Sequence, residues 1–227
     1  MFLLVAAEWT LVLLITLLLA WWFPTRMCSF TCEPWVNTVF TLIIRLLFML
    51  VIIVIRKPEF SLSNMIPRIL AVGGLCLLMS WVTAVDYNAL RLMTKNKQGW
   101  VTYIFIGSWI VTTLLLVIAY LVIPYLLPFA GLFQIFSILL LLGMSALVSW
   151  ALFVRFEKRS EFIVYFTASL MIFIPLLFSD LVVFQDGCKK MHSPFSCDPL
   201  VGSTTTYLTL LNILQNLFNL SSNLILI

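Results

Sequence analysis

Ionisable side chains inside long apolar runs are the residues of this sequence best suited to chemistry. Asp180 interrupts an apolar run that begins at Phe162, Glu8 lies in the first such run, and Arg45 lies midway along the second. Asp86 lies at the end of a third run. A charge at the centre of a membrane helix costs on the order of 2.5 to 3.5 kcal/mol by insertion scales, so such residues face an interior and often mark ion or proton paths. The chemistry to consider is therefore cation binding or proton sensing inside a membrane.

Two interpretations of Asp180 stay open from the residues alone. It lies about four residues, roughly 6 Å of helix rise, from the predicted end of its segment, so it either borders the headgroups in a packing role or forms part of a gate or ion site. Arg45 is too central to reach either surface easily, and a carboxylate partner, Asp180 or Glu8, is the economical hypothesis for it.

Polar side chains also follow one face of the last apolar run. Five of them recur at spacings of four, three, four and three residues: Thr205, Thr209, Asn212, Asn216 and Asn219. That spacing places them on a single face of a helix. In lipid, such a polar stripe either hydrogen-bonds to neighbouring helices, at roughly 0.6 to 2 kcal/mol per contact, or lines a wet cavity.

The elements that must position these residues are membrane helices. Of 227 residues 63% are hydrophobic and 10% are charged, against roughly 25% charged in a soluble domain. About 20 apolar residues cross a hydrocarbon core, and seven segments qualify: 2–23, 36–55, 66–85, 101–123, 131–154, 162–184 and 204–227. The expected fold is an all-α integral membrane protein, a bundle of seven transmembrane helices that forms a single polytopic domain over residues 1–227.

The net charge of the chain and the residues at the ends of its apolar segments indicate its binding partners and its orientation in the membrane. The net charge of +4 is spread over connectors, so a lipid bilayer is the expected partner and a nucleic acid is not. Trp100 is one of several tryptophans at segment ends, where indole rings anchor at the water–lipid boundary. The first, third and fifth connectors carry more Lys and Arg than the others, and the positive-inside rule would then put the amino terminus outside.

The cysteine and histidine residues bear on two questions, whether the chain forms disulfides and whether it binds a metal. Cys28 and Cys32 lie in the first connector and Cys188 and Cys197 in the last, on opposite sides of a seven-helix bundle, so at most one pair lies in an oxidising compartment. Each pair is either a disulfide or two free thiols. A zinc site at Cys188, His192 and Cys197 would need Asp186 or Asp198 as a fourth ligand, and no metal or cofactor is expected.

The last third of the chain resembles a known family. The run EFIVYFTASLMIFIPLLFSDLVVFQDG, a polar connector and then TTTYLTLLNILQNLF are similar to the final two segments of the transmembrane BAX inhibitor motif (Bax inhibitor, or lifeguard) family. Asp180 falls on the Asp of the family's sixth segment, and Tyr207 and Asn212 fall on the Tyr and Asn of its seventh. Thr209 stands where the family has a second Asp. The basic, proline-containing connector IRKPEFSLSNMIPRIL also looks like the one after the family's second segment.

The resemblance implies a fold, a function and an orientation. It implies seven helices with the second, fourth and sixth connectors in the cytosol, opposite to the charge count. It implies passive calcium leak from endoplasmic reticulum or Golgi stores and suppression of cell death, with two Asp residues that share a proton and open the path as they ionise. With Thr209 in place of one Asp, that switch is incomplete. Thr209 can still donate a hydrogen bond to Asp180.

The departures from the family point to a divergent branch. These departures are the missing amino-terminal tail, the absence of a charged carboxy terminus after NLILI and the degenerate motif. Together they look like a divergent branch, similar to the seven-transmembrane members carried by cytomegaloviruses, which would act in a host membrane. That branch implies an alternative function, a viral adaptor that alters trafficking or degradation of host membrane proteins without conducting ions.

We therefore expect an ion path or pH sensor built from Asp180, Thr209, Asn212, Arg45 and Glu8, with Thr205, Asn216 and Asn219 on the polar face. Calcium ions or other membrane proteins are the expected partners besides lipid. An enzyme is not expected, since the sequence has no Gly-rich phosphate loop and His192 has no apparent nucleophile partner. A heptahelical signalling receptor is disfavoured because the aromatic-charged motifs of that class are missing.

Overall fold

A computed structural model describes residues 2–22, 47, 62–94, 98–153, 158–190 and 198–225. Within these ranges every long element is a helix and there is no strand. In chain order the helices are α1 (Phe2–Trp22), α2 (Leu62–Met93), α3 (Gln98–Leu126), α4 (Ala130–Phe153), α5 (Arg159–Lys190) and α6 (Pro199–Ile225). A 3-10 turn, Leu127–Phe129, joins α3 to α4.

Proline accounts for the break between α3 and α4. Pro128 stands inside the 3-10 turn and Pro124 in the last turn of α3. Because proline has no N–H and its ring clashes with the preceding turn, a continuous helix cannot pass through this pair undisturbed. The predicted boundary between segments 101–123 and 131–154 therefore agrees with the structure to within a few residues.

Two other predicted segments, 66–85 and 162–184, end earlier than the helices that contain them. Helix α2 continues to Met93, so Asp86 and the residues after it are helical rather than part of a connector. Helix α5 likewise runs to Lys190, past the predicted end at residue 184. Hydropathy marks where an apolar segment stops, but a helix extends into polar sequence as long as its backbone hydrogen bonds are made.

The membrane prediction is confirmed in a coarser form. Four helical runs are long and apolar enough to cross a membrane by length and composition: Leu4–Trp21, Met65–Arg91, Gly99–Trp150 and Arg159–Lys189. The third run covers both α3 and α4. Helix α6 is not among them, because its polar stripe lowers its hydropathy. The count of seven is thus not supported by the residues that the structure describes, and segment 36–55 lies outside them apart from Leu47.

Contacts group the chain into two compact units, which are described separately. Unit 1 is Met1–Lys95 with Pro199–Thr204, and unit 2 is Asn96–Asp198 with Thr205–Ile227. A single domain over residues 1–227 stays a prediction.

In unit 1, α1 packs against α2. Among the buried side chains of the two helices are Val5, Val12, Leu75 and Met79. Hydroxyls connect the two helices as well: the Ser80 Oγ donates to the Val12 carbonyl at 3.3 Å, in addition to the Cys76 carbonyl of its own helix at 2.8 Å. Such shared donors are typical of helix association in lipid, where apolar burial alone supplies little driving force.

In unit 2, α4 packs against α5. The helices approach closely at Gly143, where a Cβ atom would lie 3.2 Å from the Ile172 Cδ1. A small residue at such a point lets two backbones come together. Helix α5 also contacts α3, and Phe105 of α3 meets Phe218 of α6 edge to face at 5.4 Å between ring centroids.

Candidate functional site

The carboxylate of Asp180 lies within reach of a hydroxyl on another helix of unit 2. The Thr209 Oγ1 on α6 donates to the Asp180 Oδ2 on α5 at 3.1 Å. Thr209 is buried, and Asp180 is half-buried. The same hydroxyl lies 3.1 Å from the Thr205 carbonyl, one helical turn back. A carboxylate in an apolar helix thus meets the polar stripe of the neighbouring helix at Thr209.

A serine pair holds α5 in place beside Asp180. The fully buried Ser179 donates its hydroxyl to the Phe133 carbonyl of α4 at 2.9 Å. Its oxygen also lies 2.8 Å from the Ser137 Oγ. Since a hydroxyl has one proton, and that of Ser179 goes to Phe133, the Ser137 hydroxyl is the donor of this second bond. The pair fixes the rotation of α5 at the residue next to Asp180.

The residues of the polar stripe all lie on α6, and much of their bonding stays on that helix. The Asn216 Nδ2 donates to the Asn212 carbonyl at 2.7 Å, and the Asn223 Nδ2 donates to the Asn219 carbonyl at 2.9 Å. These residues are half-buried. Each of these bonds uses one of the two N–H donors of its amide without a partner helix, and the amide oxygens are groups of the type that can face water or a cation.

Glu8 occupies a separate buried position in unit 1. It is 7% exposed, and its Oε1 accepts from the Ser203 Oγ at 3.0 Å. Among the described residues its Oε2 has no hydrogen-bond partner. The structure therefore brings Thr209 to Asp180 and Ser203 to Glu8, whereas Arg45 lies outside the described residues.

Sequence reasoning missed Ser203, Ser137 and Ser179. Ser203 lies in the run GSTTT, but outside the spacing that defined the polar stripe. A run of hydroxyl residues at the start of an apolar helix was the available signal. Ser179 precedes Asp180 directly, so an acidic residue with an adjacent hydroxyl was a second signal.

Cys188 is disulfide-bonded, whereas the buried Cys76 forms no disulfide. Disulfides are typical of oxidising compartments, which bears on the orientation of α5. The membrane orientation of the chain stays a prediction.

The described residues contain no group of three or more His, Cys, Asp or Glu that could hold a metal ion. His192 and Cys197, two of the three residues considered for zinc, lie outside those residues. No family model, curated protein or solved structure matches the chain. The functional proposal therefore rests on the sequence resemblance described above and on the geometry of the described residues.

Proposed function

We propose that this chain is a multi-pass membrane protein of the BAX inhibitor motif type that modulates calcium leak from intracellular stores and thereby suppresses cell death. The observation that carries the proposal is the hydrogen bond from Thr209 to Asp180, 3.1 Å long, between two helices of unit 2. The endoplasmic reticulum or Golgi membrane is the proposed location, or a host membrane if the protein is viral. The proposed role is not enzymatic.

The contact between Thr209 and Asp180 would act as a closure between α5 and α6. While the hydroxyl donates to the carboxylate, one oxygen of Asp180 is occupied and the helices are held together. When the bond opens, Thr209 keeps the Thr205 carbonyl as an acceptor, and the freed carboxylate becomes a ligand for a hard cation such as calcium. Asn212 lies one turn further along α6, and its amide oxygen is a group of the same ligand type.

Calcium efflux from proteoliposomes of the purified protein tests this proposal. We expect wild type to leak calcium and Asp180→Asn to reduce the leak, because the amide binds a cation less well than the carboxylate. Asp186→Asn, on the same helix, is the matched control and should leak like wild type. Thr209→Asp should make the leak depend on pH, because two neighbouring carboxylates share protons. Equal efflux from wild type, Asp180→Asn and empty liposomes would refute the proposal.

A second candidate function is a membrane adaptor that alters the trafficking or degradation of other membrane proteins without conducting ions. Helix α4 favours it, because that helix exposes large apolar side chains along its length, among them Ile135, Ile138, Leu139 and Leu142. An adaptor would bind partner helices through such a face. Its effect on a partner's surface level should be unchanged by Asp180→Asn and lost when Ile138 and Leu142 are replaced by larger aromatic residues. An effect that is lost in Asp180→Asn and kept when Ile138 and Leu142 are replaced would favour the calcium leak instead.

A further inference from the structure

A groove between α3 and α6 in unit 2 lies apart from Asp180. It encloses about 310 Å³ and is lined mainly by apolar atoms, with Trp100, Tyr103 and Gly107 on α3 facing Leu217, Ser221 and Ile225 on α6. Ligand pockets in proteins hold roughly 300 to 1,000 Å³, so the groove suits a slender ligand. The spacing of four residues along α6 makes its wall a single face of the helix.

The length of the groove matches one leaflet of a bilayer. Its α3 wall runs from Trp100 to Val111, which is about 16 Å of helix at 1.5 Å per residue. Half of a hydrocarbon core roughly 30 Å thick is about 15 Å. Trp100 and Tyr103 form an edge-to-face pair at the start of the apolar run, with centroids 6.4 Å apart, and aromatic pairs at such positions lie at the headgroup level. An acyl chain anchored there would extend along the groove to the bilayer midplane.

A cation lies at the carboxyl end of α6, next to a residue that lines the groove. The exposed Arg159, the first residue of α5, donates from its Nη2 to the Leu224 carbonyl at 3.1 Å. Leu224 is the neighbour in sequence of Ile225, which lines the groove. A guanidinium carries five donors, so capping one carbonyl leaves the others able to bind a phosphate. The described residues that line the groove are mainly apolar and carry no charge, so Arg159 supplies positive charge beside it.

The orientation of α5 decides which leaflet the mouth faces. Cys188 lies near the carboxyl end of α5 and is disulfide-bonded, and Arg159 is at the amino end of the same helix. If the disulfide end faces the oxidising compartment, the Arg159 end faces the cytosol. Cytoplasmic leaflets are rich in anionic lipids, and each Lys or Arg near such a surface is worth about 1 kcal/mol of binding, or roughly fivefold in affinity.

We propose that this groove binds an anionic glycerophospholipid, with one acyl chain between α3 and α6 and the phosphate against Arg159. The apolar wall holds the chain, and the guanidinium selects the headgroup by charge. The site is independent of the leak proposed at Asp180, and either proposal can fail without the other.

Native mass spectrometry of the full chain in detergent, titrated with phosphatidylserine or phosphatidylcholine, tests the proposal. Wild type should bind phosphatidylserine about fivefold more tightly than phosphatidylcholine. Arg159→Gln should remove that preference, whereas Lys158→Gln, which changes the exposed neighbour of Arg159, should keep it. Equal affinity of wild type for both lipids, or an unchanged preference in Arg159→Gln, would overturn the assignment.

A second pair of variants tests the groove itself. A Cβ at Gly107 meets no atom within 4 Å, so Gly107→Leu should fold and place its side chain in the groove, lowering the affinity for both lipids. Gly131→Leu, equally open but outside the groove, is the matched control. Val111→Phe fills the same groove from another position and should act like Gly107→Leu. Undiminished lipid binding by both filled variants would show that the lipid lies elsewhere.

Discussion

Units 1 and 2 each place one carboxylate in an apolar helix, and in each unit the carboxylate accepts a hydroxyl bond from a residue of α6. In unit 1, Ser203 donates to Glu8 at 3.0 Å, and in unit 2, Thr209 donates to Asp180 at 3.1 Å. Both hydroxyls also have an acceptor on their own helix, the Leu200 carbonyl at 3.2 Å and the Thr205 carbonyl at 3.1 Å. The local hydrogen bonds are alike.

The two carboxylates differ in burial. Glu8 is 7% exposed and its second oxygen has no partner among the described residues, whereas Asp180 is half-buried and keeps some access to water or an ion. A buried polar group without a partner costs about 1 to 3 kcal/mol, and more when it is charged. Glu8 is therefore a point where stability depends on one hydroxyl, while Asp180 is a point where a contact can open at lower cost. Such a contact suits a gate better.

The largest expected effect comes from Ser203→Ala. It removes the one hydrogen bond that Glu8 makes among the described residues, and we expect the free energy of unfolding to fall by about 2 to 3 kcal/mol. Denaturation of the purified protein by SDS, followed by circular dichroism, measures this. Thr204→Val is the control, because the Thr204 hydroxyl donates to the Leu200 carbonyl of its own helix. If the Ser203→Ala protein were as stable as this control, Glu8 would not depend on its hydroxyl partner, and the proposed difference between units 1 and 2 would be wrong.

Gly143→Leu should have the next largest effect. A Cβ at this position already lies 3.2 Å from Ile172, and overpacking of this type costs about 1 to 3 kcal/mol. Gly131→Leu, on the same helix with open space around it, should unfold at the same SDS concentration as wild type. Should both variants unfold alike, the close approach of α4 and α5 would not contribute to the stability of unit 2.

Thr209→Val should cost less than Ser203→Ala, about 1 kcal/mol, because the half-buried Asp180 can replace the lost donor with water. Thr112→Val is the matched control, since the Thr112 hydroxyl bonds to the Ser108 carbonyl of its own helix. A double-mutant cycle with Asp180→Asn isolates the contact between the two side chains. A coupling energy as large as the loss in Ser203→Ala would contradict the proposed ease of opening.

Ser80→Ala should have the smallest effect, about 0.6 kcal/mol or less, the average for an interhelical hydrogen bond in a membrane protein. Its bond to the Val12 carbonyl of α1 is long, at 3.3 Å, and its shorter bond is to its own helix. Ser179→Ala is the comparison in unit 2, because it breaks shorter bonds to α4. We expect the order of stability to be wild type, Ser80→Ala and then Ser179→Ala. The reverse order would show that interhelical hydroxyl bonds stabilise unit 1 more than unit 2.

Part of the candidate site could be predicted from the types and spacing of its residues. The spacing of Thr205, Thr209 and Asn212 predicted a single polar face, and the position of Thr209 opposite Asp180 came from the family resemblance; the structure joins the two side chains by a hydrogen bond. Their role in an ion path stays a prediction. Ser203 and Ser137 could not be predicted as partners, because helix periodicity identifies a face but not the neighbouring helix that packs on it.

The sequence by itself determined that the chain is built from apolar helices, where the main proline break falls, and which side chains of the last helix share a face. These properties depend on composition and on residues a few positions apart, which act through helix geometry and the cost of polar groups in lipid. The tertiary structure decided that Glu8 is enclosed around one serine while Asp180 keeps access beside Thr209. Burial and the choice of partner depend on residues far apart in sequence, such as Glu8 and Ser203, and these meet only when the helices pack.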